Sequence, residues 1–211
     1  MAFEFRSNLD DFRYLGFDVN RAAIGWARKA FAGDPRIRFE LAEIDSPFGE
    51  KSARNAEDYR FPVEDGQADL VLAKSVFTHL LESEARHYLC EIRRALKPGR
   101  AAVVTALLFA PESRTGLGLS PAFPFGDEEG NIRWRWKARP ESAIAYERDF
   151  FLRMITDAGL RLQWLCQGFF PGDAPSISGQ DILLLVHASP EIAVESYSVG
   201  DRSPDVADGR P

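Results

Sequence analysis

Two side chains of this sequence, His79 and Asp18, are placed to take part in chemistry on a bound small molecule. An imidazole gains or loses its proton near neutral pH, which makes His79 a candidate general base. Asp18 follows a short apolar segment, where a carboxylate can accept hydrogen bonds from both hydroxyls of a ribose. Each residue also has a structural alternative, because His79 could start or cap a helix and Asp18 could cap one together with Asn20.

The residues around His79 predict a strand, a helix and a second strand. Residues 68–73 form a short apolar run after a turn, which is typical of a buried parallel strand. Apolar residues then recur every three or four positions, which predicts a helix that ends at Lys97-Pro98-Gly99. Residues 101–106 are apolar and β-branched again. This order predicts a right-handed βαβ unit, with Lys74 at the strand end that opens on a ligand crevice.

A similar unit surrounds Asp18. Residues 13–18 predict a strand that ends on the carboxylate, and Asn20 is a plausible N-cap for a helix running to about residue 31. Residues 37–42 alternate in polarity, which predicts a further strand. The two units together predict an open α/β sheet of the nucleotide-binding kind.

The second unit resembles a class I S-adenosylmethionine (SAM) dependent methyltransferase. The resemblance rests on Asp69-Leu70-Val71, on Leu96-Lys97-Pro98-Gly99, and on the segment Ser75-Val76-Phe77-Thr78-His79-Leu80, which is similar to bacterial members that carry an SVFTH segment. It covers about residues 14–188 and implies a Rossmann-like sheet in a three-layer αβα arrangement, with SAM as the cofactor. Arg100 stands where such enzymes usually have a second glycine.

The resemblance also implies a set of cofactor-binding residues. Glu43, or alternatively Asp45, would read the adenine, although a solvated loop carboxylate is an equal explanation. Ala73, Lys74 and Ser75 would line the methionine end of SAM. The full set of expected cofactor contacts is Asp18, Val19, Glu43, Ala73, Lys74 and Ser75.

The glycine-rich loop of these enzymes does not precede Tyr14. The residues before Tyr14 are too few for a parallel strand with its crossover, and they resemble the end of a helix. We therefore expect a sheet without its first, central strand, as in an N-terminally truncated domain. Two strand edges would then face a gap, which favours weak stability or self-association there.

Residues 109–146 are rich in proline, glycine and aromatic side chains, and they exceed an ordinary connection. We predict a lid over an acceptor substrate, either a small molecule or a glycan. Its expected contacts are Trp134, Trp136, Glu141 and Tyr146. Residues 150–158 and two closing strands at 160–167 and 182–188 complete a methyltransferase-like domain spanning 1–188, and residues 189–211 have the composition of a disordered tail.

Composition limits the other function classes. The chain of 211 residues is 45% hydrophobic with a formal net charge of −6, and it has no clustered basic stripe for nucleic acid. No apolar run approaches the roughly 20 residues of a membrane helix, and no signal peptide is evident, so we expect a cytoplasmic protein without a membrane partner. The three histidines show no metal spacing. Cys90 and Cys166 are predicted to be reduced core residues.

Three functions therefore compete. The first is methyl transfer from SAM to a small-molecule or glycan acceptor, with the atom methylated left open. The second is a methyltransferase-like remnant or interaction module that binds SAM poorly. A nicotinamide-dependent oxidoreductase is a weaker third hypothesis, because its dinucleotide glycine fingerprint is also absent.

Overall fold

The computed structural model describes residues 2–110, 125, 127–168 and 177–188. The predicted tail, 189–211, and much of the predicted lid, 111–124 and 126, lie outside the described residues. The helices are α1 (Ala2–Asn8), α2 (Arg21–Ala30), α3 (Glu82–Ala95) and α4 (Arg148–Asp157). The strands are β1 (Tyr14–Asp18), β2 (Ile37–Leu41), β3 (Ala68–Ala73), β4 (Leu96–Ala106), β5 (Leu108–Phe109), β6 (Asp127–Glu129), β7 (Ile132–Trp134), β8 (Ile144–Glu147), β9 (Leu160–Cys166) and β10 (Asp181–His187).

The described strands form an α/β fold that confirms the predicted Rossmann-like class. β1 pairs with β2 in parallel, and β3 pairs with β4 in parallel. β10 runs antiparallel to both β4 and β9, so the second sheet has the order β3-β4-β10-β9. The strand β4 begins earlier than the apolar pattern predicts, because Leu96 pairs with Ala68 before the register shifts around Lys97-Pro98-Gly99.

Helices cover the strands from two sides. α1 and α2 share a small cluster of Ala2, Phe31 and Ile37, which packs with the Tyr14 side of β1. Phe17, on the opposite face of β1, contacts Phe61 with a ring-centroid distance of 5.0 Å. The main core continues from there through α3 and α4 to β10. β1 therefore lies between two helical layers, as a three-layer arrangement requires.

No hydrogen-bonded ladder joins β1 to β3 among the described residues. β1 pairs on one side with β2, and β3 pairs on one side with β4. In the described part of the chain, each of these two parallel strands therefore keeps an edge without a strand partner. Unpaired strand edges are templates for pairing with another segment.

The four-stranded sheet also has one face that its own helices leave open. A continuous cross-strand row on this face joins Leu72 to Val103, Val103 to Leu184, and Leu184 to Trp164. Leu72 and Trp164 are 36% and 51% exposed, and Leu70 on the same face of β3 is 49% exposed. The opposite face carries buried residues such as Val104 and Leu185, which pack in the main core. The sheet is thus covered on one side and apolar but accessible on the other.

A second, small sheet with the order β5-β8-β7-β6 is added at the end of β4. Its β7–β8 ladder pairs Trp134 with Ile144 and Ile132 with Tyr146. These four side chains are buried in the main core. Residues 127–147 therefore form an ordered hairpin rather than an irregular connection, and whether they act as a lid stays a prediction.

A buried ion pair connects α3 to the segment before β3. Both oxygens of Glu91 accept hydrogen bonds from Arg94, at 2.7 Å each, and one of them also accepts the Phe61 N–H at 2.7 Å. Arg94 donates further to the Val63 carbonyl oxygen. Burial alone would raise the pKa of Glu91, but the hydrogen bonds from Arg94 and Phe61 outweigh it and the pKa is lowered.

We expect Glu91→Gln to lower the free energy of unfolding by about 2 kcal/mol at pH 7, since charge-assisted hydrogen bonds are lost. A carboxylate with a lowered folded pKa stabilises the fold above its ordinary value of 4.5, and this contribution is lost as the pH falls through the folded value. Urea unfolding at several pH values should therefore show the difference between wild type and variant shrinking in acid.

Glu82→Gln is the matched control, because Glu82 pairs with Arg86 at an accessible position on the same helix. An exposed pair of this kind is worth less than about 1 kcal/mol. An equal loss in both variants, or a difference for Glu91→Gln that does not change between pH 7 and pH 4, would contradict the assigned role of Glu91.

Two further observations concern the composition-based predictions. Cys90 is a free thiol but lies exposed on α3, so its prediction as a core residue is wrong, because it falls off the apolar stripe formed by Leu89 and Ile92. Cys166 is a free thiol and half-buried. No helix in the described ranges is both long and apolar enough to cross a membrane.

Candidate functional site

The candidate site lies at the carboxyl ends of β1, β2 and β3. Asp18 is the last residue of β1 and is exposed. One of its carboxylate oxygens accepts the Asn20 N–H at 2.8 Å, and the Asn20 side chain in turn caps α2 by accepting the Ala23 N–H. Only one oxygen of Asp18 is used by the turn. The structural and the ligand-binding interpretations of Asp18 are therefore compatible, since its second oxygen remains available to a hydroxyl donor.

The loop after β2 folds back over the end of β1. Arg21 binds both oxygens of Glu50, at 2.8 and 2.9 Å, and lies 3.6 Å from Glu43. Gly49 packs so closely on Val19 that an added Cβ would lie 3.0 Å from the Val19 carbonyl oxygen. The loop thereby brings the predicted residues Val19 and Glu43 to the same corner as Asp18.

The same loop reaches the region that follows β3. The ring of Phe48 contacts the ring of His79, with centroids 4.6 Å apart, although Phe48 is 48% exposed. Phe48 was not predicted from the sequence, because a single aromatic residue in a polar loop carries no periodic signal. The loop after β2 therefore bridges the two sheets across the carboxyl ends of their strands.

His79 is held by a backbone group. It ends the 3₁₀ turn Phe77–His79, and its Nδ1 lies 2.8 Å from the carbonyl oxygen of Glu141. A carbonyl oxygen only accepts, so Nδ1 carries the hydrogen and Nε2 of the neutral ring is the acceptor. His79 is half-buried. The arrangement fixes the tautomer that a general base requires, with Nε2 as the basic atom.

Ser75 adopts a strained backbone conformation directly after β3. Its φ is 55°, in the left-handed region that non-glycine residues rarely occupy. The Ser75 N–H donates to the Thr105 hydroxyl at 2.8 Å, and both hydroxyls donate to the Gln180 side-chain oxygen. Three elements thus determine the conformation of the turn that includes the predicted contacts Lys74 and Ser75, while Ala73 is buried beneath it.

Thr105 and Gln180 were not among the predicted site residues. Thr105 is a polar position within the otherwise apolar strand β4, and Gln180 directly precedes β10. The next residue, Asp181, is buried and accepts the N–H groups of Leu108 and Gly168. Burial raises the pKa of Asp181. The polar residues that start β10 could have signalled this network, but their partners are distant in sequence.

The four residues predicted as acceptor contacts have different environments. Tyr146 is fully buried and its hydroxyl donates to the Leu80 carbonyl, and burial raises its pKa. Trp134 is also buried, at 9% exposed. Trp136 is 52% exposed, and Glu141 is half-buried with its carbonyl on His79. Trp134 and Glu141 are thus near His79, whereas Tyr146 supports the backbone next to it and Trp136 faces solvent.

The residues present fit part of the SAM molecule. The free oxygen of Asp18 and the loop carboxylate of Glu43 suit the ribose and adenine, and the turn 73–75 suits the methionine end. No group of histidine, cysteine and acidic side chains in the described part of the chain has the arrangement of a metal site.

Comparisons with known proteins agree with this geometry. Residues 2–104, just under half of the chain, match the family described as a methyltransferase domain. A chain from the complex between the Haloferax volcanii Trm112 methyltransferase activator and a methyltransferase is 15% identical, with a TM-score of 0.57 over 89% of this chain and 77% of that one. A SAM-dependent methyltransferase from Methanosarcina mazei is 15% identical, with a TM-score of 0.55 over 88% of this chain and 86% of that one.

A third similar structure has ligands bound. It is the geranyl diphosphate C-methyltransferase from Streptomyces coelicolor, in complex with Mg²⁺, geranyl diphosphate and S-adenosylhomocysteine. It is 13% identical, with a TM-score of 0.55, and the match covers 88% of this chain and 64% of that one. At these identities the likeness shows the shared fold. The domain match and the similar structures together indicate a SAM-dependent methyltransferase, with SAM as its cofactor.

Proposed function

We propose that this SAM-dependent methyltransferase acts on a hydroxyl group of a small-molecule or glycan acceptor, with His79 as the general base. The observation that carries the proposal is the hydrogen bond from His79 Nδ1 to the Glu141 carbonyl oxygen, because it leaves Nε2 as the proton acceptor. A hydroxyl is a weak nucleophile and gains from removal of its proton during the transfer.

Each residue of the site has a distinct role in this mechanism. Bound SAM supplies an electrophilic methyl group. Asp18 orients the ribose, Glu43 contacts the adenine, and the turn formed by Ala73, Lys74 and Ser75 positions the methionine end. His79 Nε2 takes the proton of the acceptor hydroxyl. Most of the rate acceleration would come from holding the acceptor oxygen in line with the methyl group.

The proposed acceptor class is supported by the local surroundings. Trp136 and Phe48 offer accessible aromatic surface beside His79 and Glu141, which suits a compact organic molecule or the apolar face of a sugar. Among the similar structures, the Streptomyces coelicolor enzyme acts on geranyl diphosphate. The acidic net charge disfavours nucleic acid as an acceptor. A cytoplasmic location accords with a SAM-dependent reaction and stays a prediction.

The test combines cofactor binding with methyl transfer. Calorimetric titration with S-adenosylhomocysteine should show a micromolar dissociation constant, and [³H-methyl]SAM should label alcohols and phenols from an acceptor panel. Binding without transfer to any hydroxyl compound, together with transfer to thiols or amines, would refute the proposed acceptor chemistry.

A second candidate function is a methyltransferase-like remnant or interaction module that does not bind SAM effectively. One observation favours it: no strand lies between β1 and β3 in the described chain, and no glycine-rich loop precedes β1. A folded protein without measurable binding of S-adenosylhomocysteine would support this function over the first.

The open strand edges also support self-association. We propose that a second copy of the chain covers the exposed edge and the apolar face of β3, because each copy presents the same self-complementary surface. Leu72→Lys should weaken a dimer at least tenfold by sedimentation equilibrium. Trp26→Lys is the control, since Trp26 is 62% exposed but lies on α2. A monomeric wild type at 100 µM, or equal effects of both variants, would overturn the proposal; the stated concentration is of the order at which dimers of roughly micromolar affinity are populated.

A further inference from the structure

Two buried polar atoms close to His79 have no hydrogen-bond partner among the described residues: Trp134 Nε1 and Ser142 Oγ. Buried donors are satisfied in the great majority of folded proteins, and leaving one unpaired costs about 1–3 kcal/mol. The Trp134 side chain is more than nine-tenths buried, so solvent does not compensate it. Orphaned donors that are adjacent to a candidate catalytic group require an explanation.

The backbone places both atoms at one corner. Trp134 pairs with Ile144 across the β7–β8 ladder, and the next residue, Arg135, donates its N–H to the Ala143 carbonyl oxygen at 3.1 Å. Ser142 directly follows Glu141, whose carbonyl oxygen holds His79 Nδ1. The turns Phe77–His79 and Pro140–Ser142 contact each other. The strand end of β7 and these two turns therefore meet where His79 lies.

The polar atoms at this corner are complementary in kind. His79 Nε2 is an acceptor, while Trp134 Nε1 is a donor and the Ser142 hydroxyl can donate. A ligand that matches all three presents a hydroxyl to the imidazole and a second oxygen, an acceptor, to the indole and the serine. The spacing of neighbouring residues indicates that both oxygens belong to one small functional group.

Charge at the corner favours an uncharged oxygen. Glu141 supplies the carbonyl that binds His79, and Glu84 lies close enough that the Glu141 charge adds to burial in raising the pKa of Glu84. A ligand carboxylate would be repelled by these two acidic side chains. A ketone, ester or amide carbonyl accepts the same hydrogen bonds without that repulsion.

We propose that Trp134 Nε1 and Ser142 Oγ bind the carbonyl oxygen of a hydroxy-carbonyl acceptor whose hydroxyl contacts His79 Nε2. The proposal rests on the proposed function for the role of His79 and specifies its acceptor as an uncharged hydroxy ketone, ester or amide. The test therefore measures acceptor binding without SAM, so that its failure and the failure of methyl transfer are separate results.

The probe is 2-hydroxyacetophenone, an α-hydroxy ketone, added to ¹⁵N-labelled protein. The four tryptophans give four indole N–H signals, and Trp134→Phe identifies one of them by its loss. The Trp134 indole signal should shift on titration. Each of Trp134→Phe and Ser142→Ala should weaken binding roughly 2–10-fold, the effect of one lost neutral hydrogen bond.

Matched compounds and a control variant complete the experiment. Benzyl alcohol, acetophenone and mandelate lack the carbonyl, the hydroxyl and the neutral charge respectively, and each should bind less tightly than the probe. Trp26→Phe removes an indole N–H far from the corner, on α2, and should leave affinity unchanged. An unmoved Trp134 signal at saturation, unchanged affinity in Trp134→Phe, or equal binding of acetophenone would overturn the proposal.

Discussion

Asp18→Asn is expected to weaken binding of S-adenosylhomocysteine about 100-fold. The substitution keeps an oxygen that can accept the Asn20 N–H, as Asp18 does at 2.8 Å, so the cap of α2 is retained. It removes the charge that strengthens hydrogen bonds to the two ribose hydroxyls, and each charge-assisted bond is worth about 1.5–3 kcal/mol. Calorimetric titration measures the effect directly.

Asp69→Asn is the control for Asp18→Asn. Asp69 is also an exposed strand carboxylate, but it lies near the start of β3 and pairs with Lys97 at 2.7 Å. It is therefore at the opposite end of the sheet from the proposed site. If both variants bind as wild type does, Asp18 serves only to cap α2; if both lose binding, the effect comes from general destabilisation.

His79→Gln is expected to reduce the rate of methyl transfer by 10² to 10⁴, roughly the range associated with loss of a general base. The glutamine amide can still donate to the Glu141 carbonyl oxygen, but it cannot take a proton. Binding of S-adenosylhomocysteine should not change, because the base contacts the acceptor. Single-turnover transfer from [³H-methyl]SAM to a labelled hydroxyl acceptor separates chemistry from product release.

His87→Gln is the matched control for the base. His87 also places one ring nitrogen, Nε2, 2.8 Å from a backbone carbonyl, that of Tyr59, but it lies on α3 outside the site. Its substitution should leave the rate of transfer within about twofold, since no proton transfer depends on it. A normal rate in His79→Gln, or a loss of the pH dependence of transfer in His87→Gln instead, would remove His79 from the proposed role.

Local sequence patterns predicted most of the helices and strands. The apolar run 68–73 became β3 with the same bounds, and Asn20 caps α2 as its residue type suggested. Gly159 follows α4 with a φ of 77°, a conformation that glycine adopts without strain. These features depend on residues that are neighbours in the chain, so periodicity and capping were sufficient to find them.

Long-range contacts were not predictable in the same way. The hairpin of β7 and β8 was expected to be an open lid, yet Tyr146 and Trp134 are buried in the main core. Phe48 contacts His79, and Gln180 holds Ser75, across 31 and 105 positions of the chain. Such pairs carry no spacing signal in one sequence, because packing brings them together only after the strands have assembled.

By itself, the sequence determined that this protein has an α/β sheet with an acidic strand end, a βαβ unit and the SVFTH segment, because hydrophobic period, turns and caps are local properties. Only the tertiary structure decided which nitrogen of His79 is free, since that depends on the Glu141 carbonyl oxygen. It also decided that β3 has an unpaired edge and an exposed apolar face. Pairing and burial are properties of the whole fold, and they set the chemistry that each residue can perform.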